Sequence, residues 1–182
     1  MARPQATDPL HNFRFHAIAT AVSGLGGDPM QGDPVGNGAE AGFQAITIPE
    51  YTVESAEYRE GTKTYTEKYP GIPSTNDVTF TRGVARSGGA FHRWVLASIE
   101  GREYRSDITY FHFVREGRSA PFNPALDLSD ANSKRYMLID ALPIRIKPAG
   151  DLDATSSDVS LAEMDVAFER FVIANAGEAL AP

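Results

Sequence analysis

The chain contains no cysteine. That absence excludes a disulfide scaffold, a thiolate zinc site, an iron–sulfur cluster and a cysteine nucleophile. Packing and polar contacts are left to hold the fold. Basic residues are scarce as well: 17 Lys and Arg stand against 24 Asp and Glu in 182 residues, a net charge of −7. A broad basic surface that grips phosphate backbones is thereby excluded. Long hydrophobic runs are missing too, since none approaches the roughly 20 apolar residues that span a bilayer. The opening stretch, Met1 to Leu10, carries Arg3, Asp8 and two prolines, a pattern that predicts neither a signal peptide nor membrane insertion. What is present is a 42% apolar composition in a length that fits one compact domain, or at most two small ones.

The patterning is mostly that of strands. Asp8-Pro9-Leu10 is a turn-forming lead-in to Phe13–Ile18, where Phe13, Phe15 and Ala17 alternate on one face. Residues 24–42 hold seven of the sixteen glycines, with Pro29 and Pro34, and read as a surface loop with little apolar surface to offset its ordering entropy. Phe43–Ile48, Tyr51–Tyr58 and Thr64–Tyr69 predict strands. Glu60-Gly61-Thr62-Lys63 predicts a hairpin tip with Gly61 at positive φ, and Pro70-Gly71-Ile72-Pro73 predicts the break that ends the hairpin. Val78 and Phe80 mark the inward face of a strand over 77–84. One helix is predicted after Ser87, a residue placed to cap it, with Phe91, Trp94, Val95 and Ile99 on one face and Gly101 as its stop; sharing that stripe assigns Trp94 to the core. Ile108–Val114, apolar on both faces, predicts a central strand; residues 115–134 predict a second polar loop; Tyr136–Ile146 predicts a strand with Pro143 at a bulge or an edge. Leu161, Met164, Phe168, Phe171 and Val172 fit a helical stripe, whereas Val159 with Leu161, and then Met164 with Val166 and Phe168, fit a strand whose phase switches at a bulge.

Catalytic signals are weak. His11 and His16 flank the first strand, His92 lies on the polar side of the helix, and His112 sits mid-strand. None has metal-ligand spacing or an evident carboxylate partner. Asp151-Leu152-Asp153-Ala154-Thr155 opens like a calcium loop, but Ser156 replaces the required Gly and Ala162 the required Glu. The Gly24–Gly27 stretch lacks dinucleotide spacing, and no G-x-S-x-G elbow exists. The reading is therefore not an enzyme, with no catalytic residue, no cofactor and no metal site.

Glu57-Tyr58-Arg59-Glu60-Gly61 resembles the core motif of the tail tube protein family of contractile phages and related contractile injection systems. Further matches follow in the same order. Asp8-Pro9-Leu10 with Phe13-Arg14-Phe15 resembles the family's opening, Ala41-Gly42-Phe43 its lead-in to the second strand, and Lys68-Tyr69-Pro70-Gly71 its Lys-x-Pro-Gly turn. Val78-Thr79-Phe80-Thr81-Arg82-Gly83-Val84 resembles its strand ending in Arg-Gly, Phe91–Trp94 the start of its helix, Ala141-Leu142-Pro143-Ile144-Arg145 its Ala-x-Pro strand, and Leu152-Asp153-Ala154 with 159–169 its closing strand. The series covers most of residues 8–172.

The resemblance implies a mainly β fold over residues 1–182 as a single domain, with inserted loops at about 24–42 and 115–134. That fold is a small β-barrel or sandwich with one flanking helix and a long lumen-facing hairpin over 46–69. It also resolves the closing segment, 161–171, as a strand. It implies a structural subunit assembling into stacked hexameric rings, the inner conduit of a contractile tail for DNA or protein cargo. Implied partners are other copies of the chain, the tail sheath protein, baseplate and tail terminator proteins, and the tape measure protein or DNA transiently in the lumen. The implied location is a virion tail or tail-like particle assembled in the bacterial cytoplasm. Interface or lumen residues on this reading are Tyr58, Arg59, Glu60, Gly61, Lys68, Arg82, Glu54 and Glu67, with Arg86 a further interface charge and Thr52, Thr62, Thr64 and Thr66 adding to the hydrophilic lumen. The two long loops keep open a tube-initiating or baseplate-proximal ring of the same fold. A monomeric ligand-binding β-barrel, and an enzyme using His112 or His16 with a carboxylate, are readings from other classes; neither accounts for the ordered motif series.

Overall fold

The computed structural model describes residues 15–19, 43–84, 89–112, 134–150, 152–155 and 157–175. Most of both long loops, His11, Ser87 and Arg86 lie outside the described residues. The elements are β1 (Phe15–Ala19), β2 (Phe43–Ile46), β3 (Tyr51–Tyr58), β4 (Glu67–Thr75), β5 (Val78–Gly83), α1 (Ala90–Ile99), β6 (Ser106–His112), β7 (Lys134–Lys147), β8 (Leu161–Ala167) and β9 (Arg170–Asn175). Among the described residues the fold is mainly β with one helix, as the sequence predicts. There, seven strands follow the order β1-β6-β7-β8-β5-β2 with β9 on β7, all antiparallel, in a path that does not close into a barrel; β3 and β4 form a separate two-stranded sheet.

The long strand β7 joins two groups of strands. Its first part, Lys134–Ile139, pairs with β9, and β6 runs beside it; its second part, Leu142–Lys147, pairs with β8. The change of direction falls at Asp140, which has φ 54°, a left-handed conformation that Asp tolerates better than most residues. The Asp107 carboxylate accepts a hydrogen bond from the Asp140 N–H at 3.0 Å, and Arg105, ion-paired to Glu169, donates to the Asp140 carbonyl at 3.4 Å. Pro143 sits beside a register shift between β7 and β8, the bulge the sequence predicts.

Alternation fills the core from both groups. Val78 and Phe80 of β5, Ile108 and Tyr110 of β6, Leu138 and Ala141 of β7, and Met164 and Val166 of β8 are buried together with Phe91 and Trp94 of α1. Burying Tyr110 pushes its phenol pKa well above the usual value. Trp94 donates its indole N–H to the Tyr104 carbonyl, so its polar edge is satisfied inside the core. The predicted helical face needs one correction. Ile99 is 74% exposed, and Ala97 completes the buried stripe instead; that stripe centres on Trp94, and five residues beyond it Ile99 has rotated roughly 140° away at about 100° per residue. Gly101 does stop the helix. Its φ is +67°, its N–H bonds the Ser98 carbonyl at 3.3 Å, and the Arg102 N–H reaches Ala97 at 3.0 Å, the paired bonds of a Schellman motif. The N-cap is Gly89, with no side-chain cap.

The closing segment is strand, and it is two strands. Ala162, Met164 and Val166 point inward from β8, the chain turns at Phe168-Glu169, and β9 returns along the first part of β7. The helical stripe through Phe171 arises because residues from two different strands share one count. Val159, expected in phase with Leu161, lies before β8 and is exposed. No helix among the described residues is long and apolar enough to cross a membrane.

Replacing Gly101 by Ala forces a Cβ into the left-handed region and should destabilise the fold by about 1–2 kcal/mol. Urea unfolding should show a lower midpoint at unchanged slope.

Candidate assembly surface

The β3–β4 hairpin stands apart from the core. Every residue of β3 is exposed, as are most of β4, and among the described residues neither strand pairs with any strand but the other. Its register runs from Tyr51↔Thr75 to Tyr58↔Glu67. The hairpin therefore spans 51–75, where the sequence reading placed it at 46–69. Phe43–Ile46 pairs instead with β5, and the Pro70-Gly71-Ile72-Pro73 run does not break the strand. Between Val53↔Pro73 and Ser55↔Pro70 the register shifts, so β4 takes in an extra residue, and an outer strand tolerates prolines that cannot donate to a ladder. Gly71 is required there: a Cβ on it would lie 2.9 Å from the Glu54 carbonyl oxygen.

The tip is held by its own charges. The Lys63 N–H bonds the Glu60 carbonyl at 3.0 Å, and Arg59 donates its Nε–H to the Lys63 carbonyl at 3.2 Å. Gly61, expected at positive φ, does not adopt it; this turn closes without a left-handed residue there. Lys63 Nζ sits 2.6 Å from Glu67 and 3.4 Å from Glu60. Glu67 also accepts from the Tyr69 hydroxyl at 2.7 Å. The Lys63 and Tyr69 donors hold the Glu67 carboxyl below the usual carboxylate pKa, and Glu67 in turn raises that of Tyr69. Lys68 and Glu57 form an exposed cross-strand pair at 3.4 Å.

Alternation along β3 and the observed register put Thr52, Glu54, Ala56 and Tyr58 on one face with Tyr69 and Glu67. Tyr51, Val53, Ser55 and Glu57 share the other with Lys68. Seven of the eight residues singled out from sequence thus fall on one projecting hairpin: Glu54, Tyr58, Arg59, Glu60, Gly61, Glu67 and Lys68. Arg82 does not join them. Positions 78, 80 and 82 of β5 share the inward face, Arg82 is 2% exposed, and its guanidinium lies 3.7 Å from the centre of the Phe91 ring. Burial lowers its pKa; its place is in the core.

The sequence reading missed Tyr51. Its hydroxyl donates to the Phe171 carbonyl at 2.7 Å and accepts from the Phe171 N–H at 2.8 Å, with ring centroids 5.8 Å apart. No local pattern could flag a partner 120 residues away. Tyr51, Val53, Tyr58, Tyr65, Tyr69 and Ile72 are all at least half exposed, an apolar display on a hairpin whose two outer edges pair with no strand among the described residues, which marks an interaction surface. The opposite case is the face of β7 and β8 where Arg145 pairs with Asp165 and Glu163 while the Thr79 hydroxyl donates to Asp165 at 2.8 Å: a saturated, solvated charge ladder.

His112 lines an open groove of about 440 Å³ with Phe15, Ile46, Tyr110, Phe111 and Tyr136, among others, and no carboxylate is among the described residues that line it. No three His, Cys, Asp or Glu among the described residues gather as metal ligands.

Glu67 yields a titration test. Its folded pKa is depressed, so its contribution to the hairpin is present above the unfolded value and is lost as pH falls through the folded one. The Glu67 carboxyl NMR signal should titrate below the ordinary carboxylate midpoint of about 4.3, and Lys63→Met should move that midpoint upward.

The family model described as T4-like virus tail tube protein gp19 matches residues 12–172. No curated protein matches the chain. Among solved structures, a chain of the anti-feeding prophage baseplate, 6-fold symmetrised, superimposes with a TM-score of 0.66 at 17% identity, covering 93% of this chain and 98% of that one. A chain of the sheath-tube complex of an extracellular contractile injection system, PVC, in the extended state, gives 0.65 at 18%, covering 94% and 95%. An Hcp protein gives 0.55 at 14%, covering 90% and 94%. These likenesses show a shared fold.

Proposed function

Because the chain belongs to the T4-like virus tail tube protein family, we propose that it is a non-enzymatic structural subunit whose copies close into rings and stack as the inner conduit of a contractile tail or injection device. The observation that carries this reading is the hairpin. A two-stranded sheet exposed on both faces and open at both edges is marginal by itself in water. Pairing with the hairpins of neighbouring copies covers those edges and the apolar side chains between them.

In such a ring the face bearing Thr52, Glu54, Ala56, Tyr58, Glu67 and Tyr69 lines the bore. Glu54 and Glu67 give it negative charge, and a negative wall repels nucleic acid in transit instead of holding it. Lys68 and the Arg59–Gly61 tip meet the neighbouring subunit or ring. Six copies per ring, a sheath around the tube, a baseplate below and a terminator above belong to this proposal. The neighbours supporting it come from a 6-fold symmetrised baseplate, a sheath-tube complex and a tube-terminating cap. Cargo is DNA or protein passing the bore.

Likeness to a chain of a baseplate assembly favours one second reading, a baseplate-proximal ring that starts the tube without polymerising. Negative-stain electron microscopy of the purified protein separates the two: stacked tubes with a central hole for the main tube, single rings for the initiator. A monomer over a wide concentration range contradicts both. Within this reading, Arg59→Ala combined with Glu60→Ala should cut the assembled fraction at fixed concentration roughly tenfold, the loss of a charge-assisted contact worth about 1.5–3 kcal/mol. Unchanged assembly would remove these two residues from the interface.

A further inference from the structure

We infer that the Tyr51 hydroxyl is the positioning group that fixes the direction in which the hairpin leaves the domain, and so decides which of its faces a ring turns to the bore. This rests on the tube reading and extends it to a residue that the family's sequence motifs in this chain do not include.

Among the described residues the hairpin has few attachments, and β3 and β4 pair only with each other. Their covalent roots are short links to β2 and β5, two strands joined from Ile46↔Phe80 through the Thr47 N–H to the Thr79 carbonyl. Around those links the Glu50 N–H donates to the Asn76 side chain, which clasps the two roots together without tying either to the far side of the fold. Tyr51 makes that tie. Phe171 lies in β9 opposite the fully buried Leu138, is itself 7% exposed, and stacks on Tyr136 with centroids 6.1 Å apart and planes 2° from parallel. Its N–H and C=O both turn toward Tyr51, where one hydroxyl serves as acceptor for the first and donor to the second. A hydroxyl supplies both functions from one atom. It does here what the backbone of a further strand would do, and it registers the hairpin against a rigid part of the core.

The geometry gives this anchor leverage. The eight residues of β3 extend about 25 Å at roughly 3.3 Å per residue. A swing of about 10° at the root therefore moves the tip by roughly 4 Å, close to the ~4.8 Å spacing of paired strands. An unanchored hairpin samples enough angles to miss its neighbour. Tyr51 lies on the face opposite Glu54 and Tyr58, so seating it on Phe171 turns the Glu54, Tyr58, Glu67 and Tyr69 face away from the hairpin's own domain.

The absence of native cysteine makes the test direct. Spin labels at Thr62→Cys in the tip and Ile99→Cys on the exposed helix end report tip-to-core distances in dilute monomer by pulsed electron spin resonance. With Tyr51 intact, one narrow distance distribution is expected. Tyr51→Phe keeps the aromatic contact and removes only the hydroxyl; it should at least double the width of that distribution, leave the far-ultraviolet circular dichroism unchanged, and lower the yield of closed rings about tenfold. An unchanged width, or rings of unchanged yield from Tyr51→Phe, overturns the inference. If the native chain forms no rings, the tube reading fails, and the ring-directing role given to Tyr51 fails with it; the distance width then still shows, separately, whether the hydroxyl anchors the hairpin.

Discussion

The fold depends on one strand serving two sets of partners. β7 is shared: its first part pairs with β9 beside β6, its second part with β8, and the change occurs at Asp140, a non-glycine residue held at φ 54°. Such a conformation persists only where the surroundings over-determine it. Here the Asp107 carboxylate captures the Asp140 N–H, Arg105 reaches its carbonyl while paired to Glu169, and the Glu169 N–H bonds the Ile139 carbonyl at 3.1 Å. With the corner fixed, Leu138 and Ala141 both reach the same core, and β8 and β9 can follow one another with a two-residue turn between them.

A second consequence concerns what the core leaves over. The helix and the seven-stranded path bury Trp94, Phe80, Phe91, Ile108, Leu138 and Met164 without help from β3 or β4. Folding and assembly are thereby assigned to different parts of one chain. Inside the core the indole N–H of Trp94 is taken up by the Tyr104 carbonyl, and on the outer face of β7 and β8 Arg145 is paired with Glu163 and Asp165. The hairpin satisfies its tip through Lys63, Glu60 and Glu67 but leaves its edges and large apolar side chains open. An element finished at its tip and unfinished along its length is suited to lateral pairing with copies of itself.

Much of this was legible in the sequence, and the reasons differ by element. Strands that alternate, such as Val78–Gly83, and the glycine stop of the helix at Gly101 follow local rules. The tail tube resemblance through Glu57–Gly61 came from an ordered motif series, and the matching of residues 12–172 to the family model agrees with it. Misreadings came where distant contacts override local signals. The prolines of β4 looked like a break, because the bulge that absorbs them depends on β3 across the hairpin. Arg82 reads as an interface or lumen charge, because nothing in its neighbours announces the Phe91 ring beside it. The stripe through Phe171 looked helical, because two strands contributed to it. Tyr51 was invisible for the same reason, its partner lying 120 residues on.

A hairpin that serves assembly is dispensable for folding. With residues 52–74 replaced by a short turn, urea unfolding and particle size together should show a cooperatively unfolding monomer that forms neither rings nor tubes. Rings formed by the shortened chain, or a chain that no longer folds, would mean that assembly and folding are not divided in this way.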